Sequence, residues 1–101
     1  MKQLNSVILE GTITGTPEFN QYVGIRALRF VIAHEHNKLV YNFDCVSYGK
    51  MAEIFAEKFK EDREVRVVGY LSVEKSNIND NKVSKVVLIA EHIELKPMNQ
   101  E

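Results

Sequence analysis

A chain of 101 residues holds one domain rather than two, and a 45% hydrophobic share supports a modest core. With 13 basic against 14 acidic side chains the net charge is −1, so a nucleic-acid partner would have to be held by where charges sit, not by their balance. A single cysteine excludes an internal disulfide framework, no apolar run approaches the roughly 20 residues of a membrane span, and the N-terminus lacks the apolar stretch of a signal peptide, so the expected location is the cytoplasm.

Residues 6–14 alternate, with Val7, Leu9, Gly11 and Ile13 on one face and Ser6, Glu10 and Thr12 on the other, which predicts a first strand. Residues 15–24, punctuated by Gly15, Pro17 and Gly24, read as a turn or loop. A second strand follows over 25–33, with Leu28, Phe30 and Ile32 opposite Arg29 and Val31. The segment "HEHNK" reads as a polar turn. A third strand over 39–48 sets Tyr41, Phe43 and Cys45 on an apolar face and Asn42, Asp44, Val46 and Tyr48 on a polar one.

From Lys50 to Lys60 the period changes: Met51, Ile54, Phe55 and Phe59 fall on one helical stripe. A charged turn leads to a strand over 64–74, where Val65, Val67 and Leu71 keep step and Gly69 permits a bend or bulge. Residues 75–82 read as a polar hairpin loop longer than a tight turn, residues 83–95 as the fifth strand, and Pro97 as its stop. Three strands, a helix and two strands describe an all-β, five-stranded OB-fold barrel with one α-helix between strands 3 and 4. The whole chain is expected to form one such domain, with its core at about residues 4–96.

Catalytic chemistry finds little support. Gly49-Lys50 opens a helix, but Met51 follows the lysine and no second glycine stands upstream at the phosphate-loop spacing. Cys45 lies in line with apolar residues and reads as a small core side chain rather than a nucleophile. His34 and His36 would share a face if the strand persisted, yet they lack the partners of a zinc site, and His92 stands alone. No enzyme, metal or cofactor is expected.

The basic and aromatic residues carry more. Arg29, Asn42, Val46 and Tyr48 fall on the polar faces of strands 2 and 3. Lys75 and Lys82 flank the long hairpin loop, and Lys85 follows on strand 5. The outer face of strands 2 and 3 and the neighbouring loops are where an OB barrel meets single-stranded nucleic acid, with bases stacking on aromatics and cations tracking phosphates. Arg26 and Lys50 complete the candidate set. Charge favours this weakly: residues 20–49 hold three basic against two acidic side chains and residues 65–90 four against two, whereas residues 50–64 hold four against five and residues 91–101 one against three. The plain alternative is that these charges only keep a small β protein soluble.

The segments "SVILEGTITGTPEF", "LRFVIAHEHN", "FDCVSYGKMAEIF", "VRVVGYLSVEK" and "KVVLIAEHIEL" resemble, in order, signature segments of the bacterial single-stranded DNA-binding protein family, over about residues 4–95. The closing "SKVVLIAEHIEL" and the absence of a tail also resemble primosomal replication protein N, a shorter dimeric member of that family. The resemblance implies an OB-fold that binds single-stranded DNA without sequence preference in replication, recombination or repair. It implies bacterial, nucleoid-associated placement, and as partners single-stranded DNA, the chain itself in a homodimer or homotetramer, and replication-restart proteins. It places Tyr48 at the family's stacking aromatic, Arg29, Lys50, Lys75 and Lys85 on or beside the DNA-facing surface, and Phe43 and Arg66 where members meet a neighbouring subunit.

The chain also departs from the family pattern. Asn42 and Ser76 stand where aromatics are expected, Asp44 adds a carboxylate to the presumed binding face, and there is no tryptophan. The chain ends at "KPMNQE" without the long tail of housekeeping members, so it is expected not to recruit repair partners as they do. These departures keep a second reading open: an OB-fold protein-interaction or primosome-assembly module with weak or no DNA binding.

Overall fold

The computed structural model describes residues 3–97. Its elements run β1 (Val7–Tyr22), β2 (Ile25–His36), β3 (Leu39–Tyr48), α1 (Gly49–Lys58), β4 (Glu64–Ile78) and β5 (Asn81–Leu95). The strands close into a barrel in the order β1-β2-β3-β5-β4. Every seam is antiparallel except β3–β5, where a short parallel pairing, Cys45 with Leu88 and Val46 with Ile89, shuts the barrel. Five strands closed on themselves, with a helix between the third and fourth, are the OB-fold expected from the sequence. Residues 98–101, on which the expectation of a tail-less ending falls, lie outside the described residues.

The period-2 faces supply the core. Leu9, Ile13, Leu28, Phe30, Ile32, Cys45, Val65 and Val67 all point inward and are buried. Helix α1 caps the barrel with Ala52, and Phe59, the residue that ends the helix, adds its ring, which stands edge-on to Phe30 at 4.8 Å between centroids. Burying a side chain such as Phe59 is worth about 1.5–3 kcal/mol. The helical stripe differs from the expected one in two residues. Ala52 is fully buried, whereas Ile54 is 41% exposed, because a helix turns about 100° per residue and Ile54, two residues on from Ala52, is carried away from the face that Ala52 shares with Phe55.

Two glycines allow the walls to approach. A Cβ at Gly11 would lie 2.3 Å from the Ala33 carbonyl oxygen, and one at Gly69 would lie 1.8 Å from that of Ile89. Gly69 sits where the β4–β5 register shifts after Val68, the bulge its position suggested.

The segments read as loops are the main corrections. Residues 15–24 are mostly strand: β1 is irregular between Thr14 and Glu18, then pairs Glu18 through Tyr22 with Arg29 through Ile25. The "HEH" of the expected polar turn belongs to β2. Residues 75–82 are a ladder in which Lys75 faces Ser84 and Asn77 faces Lys82. All three hairpins turn on two residues at positive φ: Val23 and Gly24 (51° and 77°), Asn37 and Lys38 (52° and 67°), and Asn79 and Asp80 (51° and 66°). That pair of left-handed residues is the type I′ signature, which matches the twist of the flanking strands. The strands were hidden because these arms project past the barrel with water on both faces, so no apolar alternation marks them.

The same projection explains Tyr41, Phe43 and Leu71. Each keeps the inward parity expected of it, but the barrel has ended and all three are exposed. At the base of the β4–β5 arm, Asn5 stands in for a missing ladder residue. Its Nδ2 donates to the Leu71 carbonyl at 2.8 Å and its Oδ1 accepts from the Leu71 N–H at 2.9 Å.

Candidate nucleic-acid interface

Directly opposed residues of an antiparallel pair share a face. The β2–β3 register therefore sets Ala27 with Tyr48, Arg29 with Val46, Val31 with Asp44 and Ala33 with Asn42 along the outer side of the barrel. Tyr48, Arg29, Asp44 and Asn42 thus form one continuous surface, as the strand periods predicted. Val46 does not belong to its exposed part. It is 1% exposed, because it lies in the seam where β3 meets β5 and its outer side is covered.

Tyr48 is the last residue of β3, 44% exposed. Gly49, at φ 71°, turns the chain into α1, so the ring is left at the rim of the face. Lys50 follows in the first helical turn and is exposed.

The β4–β5 arm brings the remaining charges. Glu74 and Lys85 oppose one another across it, and both reach the β2–β3 face. Arg29 donates through Nη1 and Nη2 to Glu74 Oε1 and Oε2 at 2.7 and 2.6 Å, and Lys85 Nζ lies 3.8 Å from Asp44 Oδ2. A cleft of about 260 Å3 lined by Arg29, Asp44, Val46, Lys85, Thr16 and Glu18 opens between them. Donating this bidentate pair of bonds to Glu74 raises the Arg29 pKa, and accepting them lowers that of Glu74. Both side chains are partly exposed, so the pair contributes at most about 1 kcal/mol to stability. Its larger effect is to occupy the guanidinium.

Other candidates stand elsewhere. Arg26 projects from the opposite side of β2, beside the helix, and is held by Glu53 of α1. Lys75 and Lys82 lie toward the tip of the arm on its reverse face, lining a shallow hollow with Asn77 and Ser84. The expected cationic set therefore divides. Arg29 and Lys85 join Tyr48 and Asn42, Lys50 sits just past Tyr48, and Lys75 and Lys82 extend the arm.

The two residues expected at a subunit interface lie on different surfaces. Phe43 is on the inner side of β3 past the barrel's end, edge-on to His34 at 6.5 Å, above an apolar groove of about 430 Å3 shared with Leu71 and Val86. Arg66 lies on the outer side of β4, donating through Nε to Glu10 at 2.9 Å and facing Glu94 at 3.5 Å. Lys96 joins the network at 3.4 Å from Glu10, and these cations hold the Glu10 carboxyl below its ordinary pKa.

The candidates for other chemistry also resolve. Cys45 is buried and its thiol is pushed up to about 12, first by burial and then by the Asp44 charge, which suits a core side chain. His34 and His36 share a face and stack at 6.5 Å, with His34 Nδ1 bonded to the Glu10 carbonyl at 2.7 Å. Among the described residues no three His, Cys, Asp or Glu side chains could hold a metal ion, and no helix is long and apolar enough to cross a membrane.

Sequence reasoning missed Glu74 as the partner of Arg29. The available signal was the Asn79-Asp80 turn: once it is taken as a two-residue turn, counting outward puts Glu74 opposite Lys85.

A helix-capped five-stranded barrel presenting a tyrosine and an arginine on strands 2 and 3, with a lysine-bearing arm alongside, has the architecture of an oligonucleotide-binding domain. Residues 4–96 match the model of the single-strand binding protein family, and the chain belongs to that family. It is similar to a single-stranded DNA-binding protein of Aquifex aeolicus, 35% identical over 91% of this chain and 69% of that one. A single-stranded DNA-binding protein of Fusobacterium nucleatum is 31% identical over 90% of this chain and 66% of its own length. The replication restart protein PriB of Shewanella piezotolerans is 29% identical over 91% of this chain and 96% of its own. The chain therefore spans about two thirds of the first two relatives and nearly all of the third.

Proposed function

We propose that this chain binds single-stranded DNA without sequence preference, in an accessory role in replication, recombination or repair. The observation that carries this is the shared outer face of β2 and β3, where Tyr48, Arg29 and Asn42 lie in one register beside Lys85. Tyr48 offers a ring for base stacking, which every base can use. Arg29, Lys50 and Lys85 hold phosphates, with Lys75 and Lys82 on the arm reaching further along the backbone. Membership of the single-strand binding family supports the reading, and the PriB relative supports a replication-restart setting with restart proteins as partners.

The chain acts as a homo-oligomer in this reading. Ile8, Phe43, Leu71 and Val86 are apolar and exposed in a protein too small to leave them without cost. Phe43 and Arg66 mark two separate surfaces on which copies could meet.

The test is fluorescence anisotropy of a labelled oligo-dT of about 35 nucleotides at low and moderate salt. Tight binding that weakens steeply with salt is expected. A specific observation favours a second reading, a protein-interaction module: Asp44, Glu74 and Glu18 place three carboxylates on or around the face. Absence of binding even at low salt would establish that alternative.

A further inference from the structure

The β1–β2 hairpin ends in Tyr22, Val23, Gly24 and Ile25, and Tyr22 is 80% exposed. The register fixes which way it points. Tyr22 opposes Ile25, two residues beyond the row in which Asn20 opposes Ala27 and Ala27 opposes Tyr48. Since side chains alternate with a period of two, Tyr22 lies on the same outer face as Tyr48, one row further out.

Rows two residues apart are separated by about 6.7 Å along a strand, and β1 lies two strand spacings from β3, so the two tyrosines stand on the order of 12 Å apart at their backbones. The two-residue turn at Val23 and Gly24 holds the hairpin in a defined register to its tip. Residues 19–25 carry no charged side chain, so nothing at the tip repels a phosphate.

We infer that Tyr22 is a second base-stacking platform, extending the single-strand path from Asn42, past Arg29 and Tyr48, to the tip of the β1–β2 hairpin. The inference rests on the single-stranded DNA reading given above. It supplies an aromatic from β1 where strand 3 has Asn42 and the β4–β5 arm has Ser76. The path then covers five outer rows of the sheet, those of Asn42, Asp44, Arg29, Tyr48 and Tyr22, a span suited to a site of at least about four nucleotides. The competing role for Tyr22 is structural, since an aromatic opposite a β-branched residue such as Ile25 stabilises a hairpin by itself.

Two substitutions separate these roles. Tyr22→Ile keeps an apolar, strand-favouring pair with Ile25 but removes the aromatic face, whereas Tyr22→Phe keeps the face and loses only the hydroxyl. In the oligo-dT titration Tyr22→Ile should weaken binding at least fivefold with the salt slope unchanged, because no phosphate contact is lost. Tyr22→Phe should stay within twofold of the native chain. Binding by Tyr22→Ile within twofold of native overturns the assignment while leaving the DNA reading intact. Failure of the native chain to bind overturns both. Sedimentation of the same variants covers the remaining occupant, a second copy of the chain: dissociation of an oligomer by Tyr22→Ile, with binding per chain unchanged, also overturns the assignment.

Discussion

Arg29 on β2 is gripped by Glu74 on β4 through two parallel hydrogen bonds, 2.7 and 2.6 Å long, although no β2–β4 seam exists in the barrel. The contact ties the β4–β5 arm to the face proposed to bind DNA. It also means that a phosphate reaching Arg29 must displace a carboxylate that already satisfies both forks of the guanidinium. Glu74→Gln should therefore strengthen oligo-dT binding several-fold at low salt. Arg29→Gln should weaken it and make the salt dependence shallower by about one unit of slope. Anisotropy titrations over a range of salt concentrations measure both. A Glu74→Gln chain that binds no better than native would mean that the pair does not compete with phosphate.

The same carboxylates predict how stability depends on pH. Glu74 and Glu10 have folded-state pKa values below their ordinary 4.5, chiefly through hydrogen bonds from Arg29 and Arg66 respectively. A depressed carboxylate pKa adds stability that is fully present above the unfolded value. That stability disappears as pH falls through the folded values. Thermal melts should show stability level near neutrality and declining below about pH 4.5. The double variant Glu10→Gln, Glu74→Gln should show a smaller decline over that window. Equal slopes for native and variant would remove these two groups as its source.

Tyr48 offers the most direct check on stacking. It is the last residue of β3, is 44% exposed and is no part of the buried core, so Tyr48→Ala should leave the fold intact by circular dichroism. Loss of a stacked base should still weaken oligo-dT binding at least several-fold. An affinity equal to that of the native chain would leave Arg29 and the lysines as the whole of the interface.

The barrel was legible in the sequence where one face of a strand is dry. Leu9 and Ile13, Leu28 and Ile32, and Val65 and Val67 announce their strands because alternation records the difference between core and water. The arms were not legible for the same reason. Lys75 through Lys82 and Glu18 through Tyr22 are wet on both faces, so their ladders are held by backbone bonds and turn geometry, which leave no hydrophobic period. The candidate interface was accordingly half visible. Arg29, Asn42 and Tyr48 follow from strand parity. The position of Glu74, the reverse-face placement of Lys75 and Lys82, and the presence of Tyr22 on the same face as Tyr48 follow only from hairpin register. Arg26 shows the limit from the other side. It is one strand with Arg29, but an odd separation in sequence puts it on the opposite face, within reach of Glu53.

Gly69 should be intolerant of any side chain. Its missing Cβ leaves room for the Ile89 carbonyl oxygen at a point 1.8 Å from where that carbon would stand, and backbone cannot swing aside as a flexible side chain can. Gly69→Ala must therefore shift β4 against β5 at the bulge, at a cost of at least about 1–3 kcal/mol. Denaturant unfolding should show a lower midpoint of that size. A midpoint unchanged from native would show that the bulge can open without loss.

Val23 offers the opposite case, a residue whose replacement should stabilise. It occupies the first position of a type I′ turn at φ 51°, where a β-branched side chain is strained, yet it is 82% exposed and has no packing role to lose. Asparagine tolerates the left-handed region, and Asn-Gly is the favoured pair for this turn. Val23→Asn should therefore raise stability by about 0.5–1 kcal/mol, or a few degrees in Tm for a domain of this size. Because the substitution leaves Tyr22 and Ile25 in place and adds no charge, oligo-dT affinity should not fall. Calorimetry of the variant tests the strain. A Tm equal to or below that of the native chain would mean that Val23 contributes at the tip in a way that its exposure does not reveal.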